Sequence, residues 1–141
     1  MKQEPQELLL KDICARLPYG IKASYYGVEE ECETWDKIEG VTLDEDFGGY
    51  VDIGQYSLPI ERIKPYLFPL SSMTDEQKKY ISNKWGINEE FDFEIDSNWG
   101  EYFVELGDTV DFINWLNKNH FDIYGLIPMG IALDATNLNI Y

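Results

Sequence analysis

The chain has 141 residues, 44% of them hydrophobic and 15% aromatic, and sets 27 acids against 11 bases for a formal charge of −16. That apolar content suffices for one domain with a real core and excludes a disordered acidic tail. The charge argues against nucleic acid as a direct ligand, because phosphate binding needs Lys and Arg to displace counterions; a basic protein partner suits it better.

In chain order, residues 5–17 read as a helix. Pro5 suits a first helical position, and Leu10, Ile13, Cys14 and Leu17 recur at the spacing of a buried face before Pro18 and Gly20 stop it. Three strands are expected next, at Ile21–Tyr26, Thr34–Leu43 and Tyr50–Ile53, separated by the acidic turn Glu29–Glu33 and by the turn-forming run Asp44–Gly49. Gly40 marks a bulge, because Ile38 and Val41 share a face only if one residue is inserted. Residues 57–70 carry Pro59, Pro65 and Pro69 and should be irregular or extended with one short helical turn.

Thr74-Asp75-Glu76-Gln77 is a capping box that opens a helix ending at Gly86. Glu90-Phe91-Asp92-Phe93-Glu94-Ile95-Asp96 then alternates acid and apolar residue, the period of a half-buried strand with a row of carboxylates on one side. The turn Ser97–Gly100 and a strand Glu101–Leu106 complete an expected hairpin. Asp108 or Thr109 caps a last helix to about Asn119 that buries Phe112, Trp115 and Leu116, and the tail from Phe121 is packed loop with a helical turn near Gly125. No repeat or linker interrupts the pattern, so residues 1–141 read as a single compact α+β domain: an N-terminal helix and antiparallel meander, then a helix, the acidic hairpin and a C-terminal helix. The order of elements in residues 5–70 resembles that of a small SH3-like or Sm-like barrel.

The polar start Met1–Glu7 has no leader-like apolar core, and the longest greasy stretch, Leu126–Leu133, is broken by Pro128 and Gly130, so no membrane partner is expected. Cys14 and Cys32 form neither a CxxC pair nor a disulfide framework, which suits a cytoplasmic location. Cys14 is read as a small core residue on the helix face, and Cys32, among four glutamates, as an unreactive thiol.

The carboxylates of Glu90, Asp92, Glu94 and Asp96, with Glu101 and Glu105 on the neighbouring strand, are the chief functional candidates. Like charges facing one another cost a few tenths of a kcal/mol per pair, so a strand that keeps them tolerates the penalty or uses it. Alternate residues rise about 6.6–6.8 Å along a strand, the order of phosphate spacing, so the face could occupy a basic groove in place of a polyanion. The plainer reading is a solvated edge protected by charge from strand addition. Trp99, at the hairpin tip, suits an interface anchor, or folds back onto its own hairpin.

Catalytic readings are weaker. Asp92-x-Glu94-x-Asp96 begins like a calcium loop, but Ser97 and Phe103 occupy the positions that need Gly and Glu, and Asp44-x-Asp46 fails with Gln55. One His and two separated Cys offer no zinc spacing, and neither a nucleophile elbow nor a phosphate-binding glycine loop is present. His120 is either a general base or, more plainly, a residue at a helix C-terminus that meets the last carbonyls. No catalytic residue, metal or cofactor is expected.

The segments LLLKDICARLPYG (8–20), IKPYLFPLSSMTDE (63–76) and NWLNKNHFDIYGLIPMGIALDA (114–135) resemble those of a family of short uncharacterised proteins common in gut-bacterial genomes and their phages and mobile elements. The resemblance implies that genomic context and no activity. The expectation is thus a non-enzymatic acidic interaction protein that binds a basic protein partner; in its sharper form it inhibits a nucleic-acid-binding protein by polyanion mimicry. The alternatives are a metal-dependent hydrolase built on clustered carboxylates with His120 assisting, and a scaffold subunit with no charged partner.

Overall fold

The computed structural model describes residues 5–26, 34–44, 48–85 and 106–141. Helix α1 (Pro5–Arg16) runs into a tight 3-10 turn at Leu17–Tyr19 and ends at Gly20, whose left-handed backbone (φ 76°) lets its N–H return to the Leu17 carbonyl. Strands β1 (Lys22–Tyr25), β2 (Thr34–Asp44), β3 (Gly48–Ile53) and β4 (Tyr56–Pro59) follow as an antiparallel meander. Strand β5 (Ile63–Leu67) returns beside β1, and β6 (Leu133–Asp134) adds in parallel, giving the order β4-β3-β2-β1-β5-β6. Helices α2 (Asp75–Trp85) and α3 (Leu106–Lys118) complete an α+β architecture.

The helix-then-meander order behind the barrel analogy is present, but the sheet is open. Strand β6 takes the outer edge of β5, and among the described residues no ladder joins β5 to β4. The bulge is where the sequence puts it: Ile38 faces Ile53, Gly40 faces Asp52, and the register shifts between them. A two-residue turn at Gly54-Gln55 (Gly54 φ 58°) joins β3 to β4.

Residues 57–70 are extended with a short 3-10 turn at Ile60–Arg62, as expected, and the extended parts pair into the sheet: Pro59 closes edge strand β4, and at Pro65 the sheet pairs with β5 on one side only, β6 starting opposite Tyr66. One expectation is corrected here. The buried stripe of α1 is Leu9, Asp12, Ile13 and Arg16, the expected spacing displaced by one residue, and Cys14 is exposed instead of core. The face turns because Asp12 and Arg16 neutralise each other and can therefore be buried.

Apolar burial falls into two clusters. The larger places Leu9 and Ile13 of α1 against Ile21, Ala23, Ile38, Val51, Ile53, Ile63 and Leu67 of the sheet. The second gathers Leu70, Met73, Ile81, Phe112, Leu116 and Phe121, with Trp85 and Trp115 half-buried at its rim. The predicted capping box opens α2: Gln77 N–H donates to Thr74 Oγ1 (3.2 Å) and Thr74 N–H to Gln77 Oε1 (2.9 Å).

Candidate functional site

The expected partner-binding residues Glu90, Asp92, Glu94, Asp96, Trp99, Glu101 and Glu105 lie outside the described residues, as do Cys32 and the Glu29–Glu33 run. Leu106, expected to end the hairpin, instead opens α3, two or three residues before the anticipated cap. What the described residues do build is a polar hub where the two apolar clusters meet.

Its centre is a fully buried ion pair. Arg16 Nε and Nη2 each donate to one Asp12 carboxylate oxygen at 2.9 Å, a bidentate fork one helical turn apart. Nη2 also donates to the carbonyl of Phe121, tying α1 to the chain beyond α3. Burial pushes the Asp12 carboxyl above its ordinary pKa, and the Arg16 charge beside it pulls the other way. Arg16 Nη1 and His120 Nδ1 are buried side-chain nitrogens without a hydrogen-bond partner among the described residues.

His120 owes its position to how α3 ends. Phe121 N–H donates to the Leu116 carbonyl and His120 N–H to that of Asn117, the paired bonds of a Schellman motif with His120 in the left-handed position (φ 63°). Glycine is the usual occupant; His is among the residues that tolerate the conformation best. Phe68 N–H then donates to the His120 carbonyl and Asp122 N–H to that of Phe68, so this corner is stitched to the end of β5. The buried Asp122 carboxylate accepts from the N–H groups of Leu126 and Ile127 and shapes the turn that follows.

The His120 ring does not reach back to the last helix carbonyls as the plainer sequence reading expects. It stacks on Tyr141, centroids 3.8 Å apart and nearly parallel. Desolvation, helped by the Arg16 and Lys22 charges, lowers its pKa to about 4, so it is neutral at pH 7 and a weak base. The Tyr141 hydroxyl accepts from Lys22 N–H (3.0 Å) and donates to the Tyr66 carbonyl (2.8 Å), and burial raises its pKa. Lys22 Nζ donates to the Ile140 carbonyl, fixing the same tail.

Beside this corner opens a cleft of about 350 Å³ lined by Phe68, Ser72, Thr74, Lys118, His120 and Tyr141, among others. Its Thr74 oxygen is engaged in capping α2, and Ser72 Oγ donates to the Pro69 carbonyl. Among the described residues no three His, Cys, Asp or Glu side chains converge as metal ligands. The arrangement ties α1, the end of β5 and the chain beyond α3 to one another.

Sequence reasoning singled out His120 but missed Asp12, Arg16 and Tyr141. The pair had a local signal, two opposite charges four residues apart on the stripe shared with Leu9 and Ile13. Tyr141 had none, since its partners lie 75 and 119 residues away. Comparisons of the chain with protein-family models, with curated proteins and with solved structures find no match.

Proposed function

We propose that the protein is a non-enzymatic interaction protein that binds a basic protein partner through its acid-rich segments, above all the carboxylates between Glu90 and Glu105. In its sharper form it inhibits a nucleic-acid-binding protein, of the kind met by phages and mobile elements, by presenting carboxylates where a polyanion would lie. The distribution of charge carries this reading. Segments 27–33, 45–47 and 86–105 hold 13 of the 27 acids and none of the 11 bases, net −13, while the remainder of the chain is close to balanced at −3. A charge needed for solubility alone would be spread over the surface with both signs interspersed. Concentrated charge of one sign steers a complementary partner and makes its capture salt-dependent.

The test is affinity capture on immobilised protein with stepwise salt elution. Basic, nucleic-acid-binding polypeptides should be retained at low salt, released as salt rises, and displaced by added single-stranded DNA. Retention of nothing basic overturns the proposal.

A further inference from the structure

One sheet face opposes the chain's overall charge. Lys22 on β1 stands directly opposite Lys37 on β2, and Ser24 stands between Trp35 on β2 and Lys64 on β5. Residues opposite one another across a ladder, and alternate residues along a strand, share a face. Lys22, Lys37, Lys64, Trp35 and Tyr66 therefore project together, on the side away from Ala23, Ile38, Ile63 and Leu67, which face α1. Like charges directly opposite are destabilising, yet no described carboxylate lies within ion-pair distance of Lys37 or Lys64. Trp35 is 47% exposed beside them, a large aromatic in the open on a sheet surface.

The aromatic groups here are braced. Lys22 Nζ lies 5.4 Å from the Trp35 ring centre and 5.7 Å from that of Tyr141, and Trp35 meets Tyr66 edge-on at 6.5 Å. Because Lys22 is also bonded to the Ile140 carbonyl, it organises the rings; among the described residues the side-chain ammonium of neither Lys37 nor Lys64, which flank Trp35, meets a carboxylate.

We propose that this face of β1, β2 and β5 docks a short, extended acidic peptide segment of a partner protein, with carboxylates on Lys37 and Lys64 and an apolar side chain against Trp35. Charge complementarity is local: a segment with two or three carboxylates is served by these lysines. A nucleic acid, with a phosphate on every nucleotide, meets the repulsion of the whole −16 chain. The rings point the same way, since Lys22 and His120 already engage ring faces that bases would need for stacking.

The experiment is fluorescence anisotropy with a labelled peptide alternating Glu and Val, on the full chain and on the variants Lys37→Glu/Lys64→Glu and Trp35→Ala. Circular dichroism and urea midpoints verify that each variant is folded. Saturable binding by the wild type, weakened about tenfold or more in the lysine double variant and several-fold in Trp35→Ala, is the expected result. Absence of saturable binding, or equal binding by wild type and double variant, overturns the proposal. Tighter binding of an oligothymidylate than of the peptide assigns the face to nucleic acid and overturns it equally. A Lys–Val peptide reports on the acidic segments instead, so failure here is distinguishable from failure of the function proposed above.

Discussion

The described residues and the segments 27–33, 45–47 and 86–105 that lie between them in sequence differ in one respect above all. The rest of the chain nearly balances its charges, whereas those three segments carry 13 acids and no base. Among the described residues a second contrast appears. The sheet cluster is apolar throughout, while the junction between the clusters is built on Asp12, Arg16, His120 and Asp122, all buried. Stability in the first cluster comes from area removed from water and should ignore pH; at the junction it depends on pairing and protonation.

The largest expected effect is at the junction. Arg16→Ala strands a buried carboxylate and frees the Phe121 carbonyl, and should cost about 3–5 kcal/mol in urea unfolding. Asp12→Leu with Arg16→Met removes both charges and should recover most of that loss. A double variant as unstable as the single one would mean that the hub supplies net stability beyond the cost of an unpaired charge. In the apolar cluster, Leu67→Ala should cost about 2–4 kcal/mol, with the same value at pH 5 and pH 7.5.

The third effect is a pH dependence with a definite sign. His120 has a folded pKa of about 4, below the 6.5 of an unfolded histidine, so between those values the unfolded chain binds the extra proton. Stability should therefore fall as pH drops from about 6.5 to 4, by about 3 kcal/mol in total from this group. His120→Asn, which keeps a residue tolerant of the left-handed backbone, should flatten the stability profile in that window relative to wild type. An unchanged slope would remove His120 from the hub's account. Smaller still, Thr74→Ala deletes the α2 cap and should cost about 1 kcal/mol.

Locally signalled features were legible in the sequence. Pro5, the Gly40 bulge, the Thr74–Gln77 box and the meander all follow from residues close in the chain, and each is found. Strands β5 and β6 were hidden because their pairing is non-local: β5 contains a proline tolerated where one neighbour is missing, and β6 is two residues long. The buried face of α1 lies one residue away from the purely apolar spacing because Asp12 and Arg16 satisfy each other inside. The junction itself unites residues from 8–20, 63–76 and 114–135, the three segments marked out in the sequence, by contacts spanning more than a hundred residues.

If the proposed function holds, recognition rests on the carboxylates of the 89–105 segment, and one variant tests this most directly: Glu90→Gln, Asp92→Asn, Glu94→Gln and Asp96→Asn combined. Its urea midpoint should match or slightly exceed that of the wild type, since self-repulsion falls, while retention of basic polypeptides is lost. Undiminished retention by the neutralised chain, or a large loss of its stability, would contradict the account.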